Sequence, residues 1–367
     1  MLVLLILFFA AVALQLIFLV TFLVSLTRKT EEKQSTAPPV SLLVCAHDEE
    51  ENLKQLIPLL LEQQYPQFEI IIVNDRSNDG TFDLLLEETK KDHRLRMVHI
   101  NRLPDHVDGK KYAITLGIKA ATYDWILLTD ADCRPESENW ILAMSLKFQE
   151  STKFVLGFSP YRKVAGFLNL FIRFESLLTA IQYFSFAMLG HPYMGVGRNL
   201  AYRKSFFLGK KGFNTIIGVT GGDDDLFVNE HANGNNTAVC LENEATVYSI
   251  PKTTWRSFLN QKIRHLAVGK KYRLKHRFFL GLFMLSWVFT WILALLLLVT
   301  HPAQVYWVVG PFLLRSLVVT LLFQFSTKRL GQKFETWTVP FLDFVFSIYY
   351  ISTGLVALFT KRIQWKK

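Results

Sequence analysis

The stretch Trp125-Ile-Leu-Leu-Thr-Asp130-Ala-Asp132-Cys-Arg134-Pro135 decides the fold class. Trp125 to Leu128 reads as a buried strand, and the apolar run stops at two carboxylates one residue apart, before a proline that cannot extend a ladder. Hard carboxylates at a strand's carboxyl end suit a divalent cation that also holds phosphate oxygens. In an open α/β sheet that end is where ligands bind. Taken alone, Asp-Ala-Asp is equally well an acidic turn, so the rest of the chain must decide.

Upstream, strands alternate with helices. Val40 to Cys45 reads as a strand, and Ala46-His-Asp48-Glu49-Glu50-Glu51-Asn52 opens a helix reaching about Gln64, with the acidic first turn that the helix dipole favours. Ile70 to Val73 is a second strand, and a helix runs from Phe82 to Lys91. Arg96 to Ile100 reads as a third strand and Gly109-Lys110-Lys111 to Ala121 as a third helix. This alternation predicts an α/β fold with a doubly wound, parallel sheet. No G-x-G-x-x-G follows the first strand and no G-x-x-x-x-G-K-[ST] occurs, so the phosphate cradles of dinucleotide oxidoreductases and P-loop enzymes are missing. Asp130 and Asp132, acting through a metal, are the available device.

Half of the 367 residues are hydrophobic, too many for an ordinary soluble enzyme, and the excess is local. Met1 to Leu26 carries no charge, is long enough to cross a hydrocarbon core and is followed by Arg28 and Lys29. Residues 1–27 therefore read as an uncleaved anchor with its C-terminal end in the cytoplasm, and 28–39, ending in Pro38-Pro39, as a linker. Phe278 to Val299 and Val305 to Phe325 read as a membrane hairpin, with basic flanks at Arg264 to Arg277 and Lys328 to Lys333. Residues 40–277 would then be a cytoplasmic catalytic domain and 278–367 a C-terminal membrane region. Arg315 lies inside a span and is expected to snorkel. Val339 to Phe359 either spans or, given Pro340 and Asp343, lies at the interface, which would keep the basic tail Lys361–Lys367 inside. The net charge of +10 crowds these membrane flanks, which favours anionic headgroups over nucleic acid as its partner. Cys45, Cys133 and Cys240 show no metal-ligand spacing.

The ordered motifs resemble the membrane-bound family 2 glycosyltransferases. A strand followed by Asn-Glu appears as Val44-Cys-Ala-His-Asp48-Glu49, with Asp at the Asn position; the Asp-Asp-Gly-Ser-x-Asp-x-Thr loop appears as Asn74-Asp75-Arg76-Ser77-Asn78-Asp79-Gly80-Thr81. The Gly-Lys loop is Gly109-Lys110 and the Asp-x-Asp is Asp130-Ala-Asp132. The resemblance implies a GT-A fold with a mixed, mainly parallel sheet. It also implies that Asp75 contacts the nucleoside, Lys110 lies near the nucleotide, Asp130 approaches the ribose or metal, and Asp132 binds Mg or Mn. Asp79 is expected to be a turn or cap residue.

Phe167 to Met188 suits either a membrane-surface helix or a buried core helix. Gly195-Val-Gly197-Arg198-Asn199 resembles the family's segment beside the donor sugar and makes Asn199 a donor-binding candidate. In Gly221-Gly222-Asp223-Asp224-Asp225 the resemblance places the catalytic base at Asp223, with Asp224 as second choice. An inverting transfer needs such a carboxylate, remote in sequence from the metal motif, to take the acceptor proton. Gln261-Lys-Ile-Arg264-His265 resembles the family's Gln-x-x-Arg-Trp, so Gln261 and Arg264 are donor-side candidates, and His265 in the Trp position weakens the case for processive synthesis.

The resulting expectation is an inverting, metal-dependent glycosyltransferase of the bacterial inner membrane. It would move a sugar from a nucleotide-diphosphate donor, a UDP-sugar, to a lipid or lipid-linked acceptor at the cytoplasmic face. The alternatives are a processive polysaccharide synthase, a catalytically silent nucleotide sensor or scaffold, and a nucleotidyl transferase.

Overall fold

The computed structural model describes residues 1–28 and 37–359, apart from the side chain of Leu358. Most of the expected linker, and the basic tail from Lys361, lie outside the described residues. The chain forms two compact units: one holds the β-sheets and runs to Lys163, then from Phe186 to Pro251; the other gathers Val164–Ser185, the N-terminal helix and the chain from Lys252 onward.

In the first unit the strands are β1 (Val40–Ala46), β2 (Phe68–Asp75), β3 (Leu95–Ile100), β4 (Trp125–Asp130), β5 (Cys133–Pro135), β6 (Phe154–Leu156), β7 (Leu200–Arg203), β8 (Thr237–Val239) and β9 (Val247–Ser249). Seven of them form one sheet in the order β3-β2-β1-β4-β7-β6-β8, and β5 pairs with β9 in a small ribbon. β7 alone runs against its neighbours, antiparallel to both β4 and β6. The sheet is thus mixed and mainly parallel, not parallel throughout as the strand–helix alternation alone predicts.

The parallel strands are buried because helices cover them, which is why they read as near-continuous apolar runs. Their register sets the ligand edge. Cys45 of β1 pairs with Asp130 of β4, and Ala46 pairs with Asn74 of β2, so Asp75 and Asp130 end the two strands that flank β1. The helix Gly109–Ala120 lies close on this sheet: a Cβ at Gly117 would come within 2.3 Å of Leu43 Cδ1 and 2.9 Å of Val73 Cγ2. Only glycine permits that approach.

Among the described residues, the second unit contains four helices long and apolar enough to cross a membrane: Leu2–Thr27, Leu274–Thr300, Pro302–Arg329 and Thr336–Ala357. Phe167–Met188 is a helix whose residues Phe171, Ile172, Phe174, Leu177, Leu178 and Ile181 are all buried. Phe174 stacks on Phe323 at 4.6 Å, so this helix packs against the apolar helices, as the core-helix reading expects. Arg315 also departs from expectation. It is fully buried, donates from Nη1 and Nη2 to the Asp343 carboxylate and from Nε to Gln15 Oε1 at 2.9 Å, and lies 4.7 Å from the Trp287 ring centroid. An arginine with a carboxylate inside the bundle has no reason to snorkel. The same pairing explains Asp343 without an interfacial helix.

Breaking a buried ion pair from one side strands a charge, at a cost of about 3–5 kcal/mol, whereas replacing both partners by apolar groups is close to neutral. Arg315→Met alone should therefore lower the unfolding temperature of the full chain in detergent sharply, and Arg315→Met with Asp343→Leu should restore most of it. A single variant as stable as the parent would contradict this.

Candidate active site

The site is built at the carboxyl edge of β2, β1 and β4. The loops after β1 and β2 are zipped together: Asp48 Oδ1 accepts from Asn78 N at 2.7 Å, Ser77 Oγ accepts from Asp48 N at 3.0 Å, and Thr81 Oγ1 accepts from Glu49 N at 3.0 Å. Asp79 accepts from Glu50 N at 3.1 Å and from Thr81 N at 3.0 Å, the cap role expected of it. Burial opposes ionisation of Asp79, but its hydrogen bonds with Thr81 and Glu50 outweigh it and hold the carboxyl below its usual range. Asp75 is gripped by Arg76, with Nε at 2.7 Å from Oδ1 and Nη2 at 3.1 Å from Oδ2, a two-pronged pair at the end of β2.

Asp108 caps the helix Gly109–Ala120, its Oδ1 accepting from Lys111 N at 3.1 Å, which puts Lys110 and Lys111 in the first turn. Cations there oppose the helix dipole. Lys110 overcomes this through carboxylates: its Nζ lies 3.0 Å from Asp130 Oδ1 and 3.4 Å from Asp223 Oδ2. Burial works against the charged amine, yet Asp130, Asp223 and Asp224 prevail and hold its pKa well above the ordinary lysine value. Lys111 is fully buried and donates to the carbonyls of Val219 and Gly221, both at 2.5 Å. Burial lowers its pKa. The two lysines divide the work: Lys111 pins the backbone of the acidic loop and Lys110 meets its first carboxylate.

Gly221 and Gly222 both have positive φ, +75° and +79°, a left-handed pair that side-chain-bearing residues rarely adopt. They deliver Asp223 and Asp224 with different partners. Asp224 Oδ2 accepts from Gly197 N and Oδ1 from Asp225 N, both at 2.8 Å, and Asp224 caps the helix Asp225–His231. Burial, with Asp223 beside it, raises its pKa. Both Asp224 oxygens thus accept from backbone, which ties the second-choice base to the loop. Asp223, 7% exposed, faces the Lys110 ammonium instead.

Asn199 is a further correction. Its Nδ2 donates to Phe158 O at 2.8 Å and Ala245 O at 2.7 Å, and its Oδ1 accepts from Trp140 Nε1 at 3.0 Å, all in a fully buried setting. It clamps segments together and presents nothing to a donor. Arg134, unassigned in the sequence, is likewise buried, with Nη1 donating to Ala131 O at 2.9 Å and Cys133 O at 2.7 Å, so it fixes the turn that carries Asp130 and Asp132. Gln261 and Arg264 share the helix Trp255–Gly269 of the helical unit. The Cys45 thiol is pushed up by burial, and no cysteine among the described residues is in a disulfide.

Among the described residues no three His, Cys, Asp or Glu side chains form a ready metal centre. Asp130 and Asp132 nevertheless supply carboxylates at one strand end. That donor set fits an ion such as Mg2+, which takes one or two carboxylates and completes its shell with phosphate oxygens and water.

A profile described as "Glycosyl transferase family 2" matches residues 41–207, and one described as "Glycosyl transferase family group 2" matches residues 125–327, more than half of the chain. The chain belongs to the family 2 glycosyltransferases. The chain is 32% identical over 154 residues to "Probable glycosyltransferase YdaM" of Bacillus subtilis, covering 41% of this chain and 36% of that one. It is 34% identical over 110 residues to the poly-beta-1,6-N-acetyl-D-glucosamine synthase of Staphylococcus epidermidis, covering 29% of this chain and 24% of that one. It thus spans well under half the length of these curated relatives. The mannosyltransferase PcManGT from Pyrobaculum calidifontis, solved with GDP-Man and Mn2+, superposes with a TM-score of 0.62 at 16% identity, over 98% of this chain and 100% of its own. The fold is GT-A.

Losing Lys111 would take this donor from the part-buried Val219 carbonyl and the buried Gly221 carbonyl, at about 1–3 kcal/mol for the buried one. Lys111→Met should lower the unfolding temperature, whereas Asp223→Asn, whose side chain meets only Lys110 among the contacts described above, should shift it little. Differential scanning calorimetry of the full chain decides between these roles.

Proposed function

We propose that this glycosyltransferase is an inverting enzyme that transfers a sugar from a nucleotide-diphosphate donor, a UDP-sugar, to a hydroxyl of a lipid or lipid-linked acceptor at the cytoplasmic face of a bacterial inner membrane. The observation that carries the reading is the bridge from Lys110 to Asp130 and Asp223. It puts a carboxylate suited to a metal or ribose and a carboxylate suited to proton abstraction on two sides of one cation.

In this reading Asp223 accepts the proton of the acceptor hydroxyl as that oxygen bonds to the anomeric carbon and the bond from that carbon to the diphosphate breaks. Asp75, at the end of β2, orients the nucleoside, and Asp130 and Asp132 hold Mg2+ or Mn2+, which when bound neutralises the departing diphosphate. Lys110 stabilises the Asp223 carboxylate before the proton moves. The four apolar helices and the basic residues that flank them support a membrane acceptor and a cytoplasmic catalytic unit. Local similarity to a poly-beta-1,6-N-acetyl-D-glucosamine synthase favours a second reading, processive polymer synthesis, which product length distinguishes. The GDP-Man complex of PcManGT adds GDP-mannose to the donors worth testing.

Release of nucleoside diphosphate from a panel of UDP- and GDP-sugars, by the full chain in lipid nanodiscs with Mg2+ or Mn2+ and a membrane lipid extract, tests the proposal. One donor should turn over. General-base catalysis contributes about 10²–10⁴-fold, so Asp223→Asn should lower kcat by that order with donor binding retained. Asp132→Asn should weaken the response to added metal. Silence towards every donor would sink the reading.

A further inference from the structure

The reversed strand β7 has a consequence for the ligand edge. Because Leu200 pairs with Leu128 across an antiparallel ladder, the turn Gly197–Asn199 that precedes β7 falls at the end of β4 where Asp130 stands. Two members of that turn have internal duties: Gly197 donates to Asp224, and Asn199 is locked in the core. Arg198, between them, has none of this kind. It is half-buried, its guanidinium lies 4.5 Å from the Tyr161 ring centroid, and its Nη1 is shielded from solvent with no acceptor.

The platform beneath it is firmly built. Tyr161 is buried and bridges to Ser249, which pairs with Cys133 in the β5–β9 ribbon, while Ile250 N donates to the carbonyl of Asp132 at 3.2 Å. Tyr161 therefore holds the arginine beside the Asp130–Asp132 turn. Burial disfavours the guanidinium charge, and the nearby Asp130 and Asp132 carboxylates act against this. A desolvated guanidinium N–H without an acceptor is costly unless a ligand supplies one. The ligand that matches a planar, permanently charged fork next to metal-type carboxylates is a phosphate group.

We propose that Arg198 binds a substrate phosphate beside Asp130 and Asp132, and that this phosphate belongs to the diphosphate of the nucleotide-sugar donor. The inference rests on the glycosyl-transfer reading and adds a residue to it. Arg198→Gln should weaken binding of UDP or GDP, whichever the parent prefers, by about 10- to 100-fold, the loss of a charge-assisted contact. Affinity for the bare nucleoside should be unchanged. Arg198→Lys should recover part of the loss, since it keeps the charge without the fork.

The experiment is competition binding of UDP, GDP, uridine and guanosine, with Mg2+, to the full chain in nanodiscs, alongside donor and acceptor KM values. Equal diphosphate affinity in the parent and Arg198→Gln would overturn the proposal. So would a rise in acceptor KM alone, which would move the phosphate to a lipid-linked acceptor. A parallel loss for nucleoside and diphosphate would mark a collapsed pocket and also count against it. Failure of the glycosyl-transfer reading shows differently: the parent itself would bind no nucleotide and turn over no donor.

Discussion

The Lys110 ammonium between Asp130 and Asp223 is the constraint on which the catalytic unit depends. Several carboxylates converge at one edge of a buried sheet, and like charges so placed repel unless a cation is embedded with them. The chain places that cation where a helix least favours it, in a first turn, and secures it from both ends. Asp108 starts the helix, and Lys111 draws the Val219–Gly221 carbonyls inward so that the loop arrives with Asp223 in reach. The left-handed glycine pair makes the turn possible.

Much of this was legible in the chain. Apolar runs ending in acids located β1, β2 and β4, and their shared parallel direction forced Asp75 and Asp130 to one edge. What escaped depended on long-range pairing. The resemblance put Lys110 near the nucleotide, but its carboxylate partners, 20 and 113 residues away, could not be read from the chain. Asn199 in a glycine-rich turn looks like a ligand residue, but the reversed strand behind it carries its side chain into the core, where Phe158, Ala245 and Trp140 consume it. Arg198, its neighbour, carried no pattern that a sequence reading could rank above it. The strand reversal is itself hard to foresee, since β7 has only four residues.

The apolar helices show the same limit from another side. Length and hydropathy identified them, and basic flanks suggested an orientation. Arg315 and Asp343 looked like separate anomalies, one to be explained by snorkelling and the other by an interfacial helix. They answer each other inside the bundle, with Gln15 as a third partner. A charge in a span is informative only once its counter-charge is known, and 28 residues of sequence separate this pair.

The partners of each acid also sort the roles that a cluster of aspartates leaves ambiguous. Asp79 and Asp224 each accept from two backbone N–H groups, so both acids contribute to holding the chain. Asp75 is held by the planar fork of Arg76, which fixes its orientation while leaving it at the strand end. Asp223 meets an ammonium on a flexible four-carbon stem, a partner that can re-aim without breaking the fold. In the proposed transfer, Asp223 would be the acid that exchanges its contact for an incoming hydroxyl, while Asp224 keeps the loop in position.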